Sequence, residues 1–161
     1  VKYQLMGAAC IFVASAAIST ARAQVAYTNS VLNGCYAHLS TSVDDDSGVA
    51  RAVLGTFCFD GNGNMVGTSG TPGLSGHVMN TNGKVKSEGD ETGTYSVTNS
   101  PGDGMGVIQG ACGTRAFVIA HVNASGIAQG FRYINIAKNS SCGNKPLGVD
   151  SGSAEYQGPL N

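Results

Sequence analysis

Tryptophan is absent from the 161 residues, proline occurs only four times, and charged side chains make up 12%. That charge share is about half the quarter usual in a soluble chain. With 24 glycines and no sustained apolar repeat of 3.6 residues, the composition points away from helix. Nine Lys and Arg against ten Asp and Glu leave no basic excess to neutralise phosphates, so nucleic acid is an unsuitable partner. The longest apolar run, Leu5 to Ile18, falls short of the roughly 20 residues that span a bilayer. No CxxC, no G-x-S-x-G and no G-x-x-x-x-G-K-[ST] occurs, which removes the sequence basis for a redox pair, a hydrolase elbow and a phosphate loop.

The apolar run follows Lys2 and precedes Ala21-Arg22-Ala23, small residues at the two positions a signal peptidase reads before Gln24. Residues 1–23 therefore read as a secretory signal peptide and residues 24–161 as one exported domain, periplasmic or extracellular. Cys10 lies within the apolar run, where it offers no acylated anchor after cleavage. The remaining chain carries seven basic against ten acidic side chains and is long enough to bury a core without metal.

Export changes the meaning of Cys35, Cys58, Cys112 and Cys142, because disulfides persist outside the cytoplasm. Four cysteines allow three connectivities. The midpoint of Cys35 and Cys58 falls between Asp46 and Ser47, inside the turn-like Asp44-Asp45-Asp46-Ser47-Gly48, so the two would oppose each other in one hairpin. Cys112 stands just before a strand-like run and Cys142 just after the next, which brings both to one end of an up-and-down path. The expected pairs are Cys35 with Cys58 and Cys112 with Cys142, each contributing on the order of 3 kcal/mol in the chain-entropy model.

Runs rich in Val, Ile, Thr, Phe and Tyr recur between Gly, Asn, Asp and Ser clusters, the signature of strands and turns. Strands are expected near 33–42, 49–59, 64–71, 76–88, 91–98, 104–112, 115–122, 127–137 and 151–157. Asp60-Gly61-Asn62-Gly63, Thr81-Asn82-Gly83 and Ser100-Pro101-Gly102-Asp103-Gly104 have turn chemistry. Helical crossovers are missing, so the sheet should be antiparallel. Alternation is blurred: Ala116, Val118, Ala120 and Val122 make one clean apolar face, while Arg115, Phe117, Ile119 and His121 make a mixed one. These features fit an all-β fold, a single antiparallel up-and-down barrel of about eight strands, with a two-sheet sandwich as the alternative.

Leu32-Asn33-Gly34-Cys35-Tyr36-Ala37, Gly55-Thr56-Phe57-Cys58-Phe59-Asp60-Gly61-Asn62-Gly63-Asn64 and Gly93-Thr94-Tyr95-Ser96-Val97 stand in order, followed by Gly130-Phe131-Arg132-Tyr133 and Ser151-Gly152-Ser153-Ala154-Glu155-Tyr156-Gln157. Over most of residues 31–157 this series resembles a group of small secreted bacterial proteins with a barrel like that of allene oxide cyclase. The resemblance implies a calycin-like antiparallel barrel and transfers no catalytic residue, since shared shape does not carry shared chemistry.

Candidate chemistry is sparse. Asp60, Asn62 and Asn64 have the spacing that begins a calcium loop, yet Met65 stands where glycine is needed and Thr71 where a closing Glu would be, so a plain turn is expected. Asp44 to Asp46 read as a solvated turn, and Glu88, Asp90 and Glu91 as a wet connection beside Gly89 and Gly93. His38, His77 and His121 would make a zinc site only if they converged, and no metal or other cofactor is expected. Phe117, Phe131 and Tyr133 are candidates to line a ligand site together with His121, with Arg115 or Arg132 as a charged handle for a small acid or a phenol. The expected function is a non-enzymatic binding or interaction protein for a small apolar ligand or an envelope or extracellular partner. The alternative is a cyclase or isomerase working inside the barrel, which needs a continuous cavity of roughly 300 Å³ or more. Rings of Phe57, Phe59, Phe117 and Phe131 closing the core would remove it.

Overall fold

A computed structural model describes residues 26–43, 48–66, 75–80, 85–88, 92–98, 103–110, 113–138 and 150–160. Among the described residues ten strands follow a short 3₁₀ turn at Asn29–Val31: β1 (Asn33–Val43), β2 (Ala50–Asp60), β3 (Asn64–Met65), β4 (Ser75–Asn80), β5 (Val85–Glu88), β6 (Gly93–Val97), β7 (Met105–Gly110), β8 (Gly113–Val122), β9 (Ala128–Lys138) and β10 (Asp150–Gly158). All pairings are antiparallel. Eight strands close a ring in the order β1-β10-β9-β8-β7-β6-β3-β2, with β2 returning to β1. The fold is one closed antiparallel barrel, and the two-sheet arrangement is not formed.

The ring is interrupted along one edge of β2. Strand β2 pairs with β3 at Phe59 and with β4 over Arg51–Thr56, so β3 and β4 lie along the same edge of β2. Strands β4 and β5 pair with each other, so the single expected run 76–88 folds back on itself as two strands. Of the expected strand 64–71, Asn64–Met65 is strand and residues 67–71 lie outside the described residues.

Strand signals located the walls because they are local; the direction each face takes is set by volume. Tyr36, Phe57, Phe59, Phe117, Phe131 and Tyr133 all turn inward and are buried. Their ring centroids lie 5.3–6.2 Å apart in tilted, stacked and edge contacts. Such rings need small partners across the strand, and glycine supplies them. A Cβ on Gly106 would collide with the Phe117 ring, and one on Gly152 would lie 2.6 Å from Tyr133 Cζ. The same argument explains β8, where the mixed face of Arg115, Phe117 and Ile119 points in while Val118 and Ala120 are exposed. Alanine and valine are too small to fill an eight-stranded interior; phenylalanine fills it.

One end of the barrel is plugged by the chain that precedes β1. Val31 and Leu32 are buried there, and Tyr95 Oη donates to the carbonyls of Asn29 and Leu32, both at 2.8 Å. Burial pushes the Tyr95 phenol up to about 12. Tyr36 Oη donates to the Ala128 carbonyl at 3.0 Å, and burial raises its pKa well above the usual phenol range. Cys35 and Cys58 are register partners of β1 and β2 and form a disulfide. Cys112 and Cys142 lie outside the described residues.

Candidate functional site

The end opposite the plug is polar. Along β1 the inward positions run Tyr36, His38, Ser40, Ser42, while the outward ones run Ala37, Leu39, Thr41, Val43. Strand β1 thus buries its polar face at this end and exposes its apolar one. The inward side chains meet partners from the far end of the sequence. Tyr133 Oη and His38 Nδ1 are 2.9 Å apart, and Asn135 Nδ2 donates to Asp150 Oδ2 at 3.0 Å. The Ser40 hydroxyl sits against both the Tyr133 phenol and the Asp150 carboxylate and offsets part of the effect of burial on each. Arg115 points into the same layer, its guanidinium carbon 5.7 Å from the centre of the Phe57 ring.

Burial dominates the electrostatics. It drives the His38 pKa down to about 4, helped by the positive charge of Arg115, so the imidazole is neutral at ordinary pH. Burial also pushes the Tyr133 phenol up to about 12 and raises the Asp150 carboxyl. His38 Nε2, Asn135 Oδ1 and Asp150 Oδ1 are buried without a hydrogen-bond partner. A buried polar atom left unmatched costs about 1–3 kcal/mol, so each of the three is a local cost to the fold.

The outer wall at this end carries a groove. Its floor is β10, where Ser151, Gly152 and Ser153 project little; its sides are the larger residues of the neighbouring strands. Register aligns Leu39, Ser153, Arg132, Val118 and Met105 in one row across five strands, and Thr41, Ser151, Ile134 and Ala116 in the next. The groove measures about 580 Å³. Leu39, Met105, Val118 and Ile134 on its sides are 42–53% exposed, and Ser153 and Arg132 stand between Leu39 and Val118 in the row.

The candidates read from the sequence divide between these places. Arg115 and Tyr133 join the polar layer, Phe117 and Phe131 fill the core, and Arg132 projects outward along the groove. His121 is exposed: register shifts on either side of it turn the histidine out and Val122 toward the core. His38 is inside and His121 outside, while the His77 side chain is outside the described residues. Among the described residues no three His, Cys, Asp or Glu side chains group as metal ligands. The Asp60 carboxylate is taken up by its own turn, accepting from the backbone N–H of Asn62 at 2.7 Å and of Asn64 at 3.0 Å and from Asn64 Nδ2 at 2.7 Å. Slight burial works to raise its pKa, and these hydrogen bonds outweigh it and hold the carboxyl low. Asp44 to Asp46, Asp90 and Glu91 lie outside the described residues. Ser40, Asn135 and Asp150 were not singled out from sequence; the alternation of polar residues along β1 is the one local signal for Ser40.

Compared with known proteins, the chain matches no protein-family model, no curated protein and no solved structure. Among the described residues no helix is long and apolar enough to cross a membrane.

Proposed function

We propose that the protein is an exported, non-enzymatic binding barrel whose outer groove holds a small apolar ligand ending in an acidic group. The observation that carries this reading is the groove itself: about 580 Å³, four half-exposed apolar side chains in two register rows, and the Arg132 guanidinium beside them. That volume lies in the range of small-molecule sites, and one cation among apolar walls selects a carboxylate head with an aliphatic body. Arg115 is turned into the barrel, which leaves Arg132 as the handle on this face. Removal of residues 1–23, oxidation of the cysteines and kinship with the allene-oxide-cyclase-like group belong to the same reading. The Cys35–Cys58 bridge is compatible with an oxidising compartment.

A cyclase or isomerase working inside the barrel lacks comparable support, because Phe57, Phe59, Phe117 and Phe131 occupy the interior that its substrate would need. The test is native mass spectrometry of the full chain exported with its disulfides formed, followed by titration with a fluorescent polyene fatty acid. Saturable binding near micromolar Kd is expected, weakened about tenfold or more by Arg132→Glu or Val118→Asp with unchanged circular dichroism. Equal affinity in wild type and both variants would remove the groove from the function.

A further inference from the structure

The turn between β2 and β3 has a chemistry of its own. It contains the pair Asn62-Gly63, and the chain has two more pairs of this kind, Asn33-Gly34 and Asn82-Gly83. We propose that Asn62 is a self-modification site, where the Gly63 amide nitrogen converts the asparagine to isoaspartate with water as the one co-reactant, and that this conversion loosens the plug at the barrel end.

The step balances within the chain. Gly63 N gives its proton to solvent base and bonds to Asn62 Cγ; the Cγ–Nδ2 bond breaks and ammonia leaves, closing a succinimide. Water then opens the ring. Attack at the main-chain carbonyl carbon of Asn62 leaves isoaspartate, with the chain running through Cγ, and attack at Cγ leaves aspartate. The reaction needs an unoccupied nucleophile and an accessible carbon. Asn62 N–H and Asn64 N–H both donate to Asp60 Oδ1, at 2.7 and 3.0 Å, while Gly63 N–H between them has no hydrogen-bond partner among the described residues. Asn62 is exposed, and its Nδ2 makes one long hydrogen bond, to the Asp60 carbonyl at 3.3 Å.

The fold also keeps the reactive pair in place. Gly63 has a φ of +107°, and a Cβ there would lie 3.0 Å from Asn29 Nδ2 and 3.2 Å from the Tyr95 carbonyl oxygen. The residue least able to shield its own amide nitrogen is therefore the one the turn requires. Asn33-Gly34 is the contrast. Gly34 is buried in β1 between β2 and β10, where a Cβ would fall 2.5 Å from the Gly158 carbonyl oxygen. Ring closure needs that backbone to rotate, which the strand permits only when it opens. Asn82-Gly83 lies outside the described residues.

The consequence of conversion follows from what the turn holds. The Gly63 carbonyl accepts from Tyr95 N–H at 2.8 Å, and the Tyr95 phenol donates to the carbonyls of Asn29 and Leu32 in the plug. Asn29 Oδ1 in turn accepts from Val97 N–H at 2.9 Å. Isoaspartate inserts a methylene into the main chain just before Gly63 and adds a carboxylate to the turn that already holds that of Asp60. The Gly63 carbonyl is displaced from Tyr95, and like charges meet in one turn.

The test ages the full, oxidised protein at physiological temperature and mildly alkaline pH, with the same protein in urea as the unfolded reference. Isoaspartate is located by peptide mass spectrometry and by labelling with an isoaspartyl methyltransferase. In urea Asn33 and Asn62 should convert at similar rates. In the folded protein Asn62 should keep its urea rate, whereas Asn33 should slow about tenfold or more because its reaction waits for the strand to open. Asn62→Gln retains an exposed amide, but its extra methylene enlarges the ring to be closed, so the signal at that position should vanish. Amide hydrogen exchange then reads the plug: Tyr95 N–H should exchange about tenfold or more faster in the isoaspartyl protein than in fresh protein, with no such change in Asn62→Gln aged alongside. Protection of Asn62 in the folded protein to the same extent as Asn33, or an unchanged Tyr95 exchange rate in the isoaspartyl protein, would overturn the proposal.

Discussion

His38 is a base held where its charged form is disfavoured, and that has a measurable effect on stability. Burial and the Arg115 charge set its folded pKa to about 4, below the ordinary histidine value of 6.5. The unfolded chain therefore binds a proton between these values that the folded chain does not, and stability rises with pH across that window. The contribution is complete above about pH 6.5 and is lost as pH falls through about 4, on the order of 3 kcal/mol in all. Asp150 works the other way: its raised carboxyl pKa contributes stability at low pH that is lost as pH rises through its folded value. Comparing wild type with His38→Asn isolates the histidine. Urea midpoints should climb between about pH 4 and pH 6.5 in wild type and climb much less in the variant; parallel curves would contradict the assignment. Of this layer, Arg115 and Tyr133 were singled out from sequence as candidates to line a ligand site, and His38 as one of three histidines weighed for zinc. Ser40, Asn135 and Asp150 were not, and the grouping itself was not legible, because the contact between His38 and Tyr133 joins residues 95 apart and only barrel closure brings them together.

At the scale of elements, the hairpin of β1 and β2 is the most firmly tied pair. Eleven register pairs join Asn33–Val43 to Ala50–Asp60, and the disulfide crosslinks them near the plugged end. Closing a loop of that size is worth about 3 kcal/mol in the chain-entropy model. The double variant Cys35→Ser with Cys58→Ser should lose stability of that order in denaturant, with strand content by circular dichroism retained at low temperature; an unchanged midpoint would show that the bridge adds nothing. Most strands, and this pairing, were legible in sequence because β-branched runs and turn clusters are local. Inward and outward faces were less legible. Hydrophobic alternation favours Ala116 and Val118 as the core face of β8, yet the interior demands ring-sized side chains and takes Arg115, Phe117 and Ile119. The split of 76–88 into two strands follows from its central Thr81-Asn82-Gly83, a turn signal inside a strand-like run.

For the whole molecule, closure depends on the last strand meeting the first. Strand β10 sits between β1 and β9, with eight register partners on β1 and five on β9. It also forms the groove floor and supplies Asp150 to the polar layer. A chain ending at residue 149 would leave two long strand edges bare, an arrangement prone to association. It should lose the cooperative thermal transition and the near-ultraviolet signal of the packed tyrosines, as judged by calorimetry and circular dichroism. A truncated monomer that still melted sharply would mean that the ring is not the unit of stability.

The position of β1 between β2 and β10 also sets an order in time. As the chain is synthesised from its amino end, β2 follows β1 closely in sequence, and the partners Cys35 and Cys58 are both in hand before β3 has been made. The other neighbour of β1 arrives last. One edge of the nascent hairpin thus stays open while everything between is produced, so an early covalent clasp holds the template against which the final strand must dock.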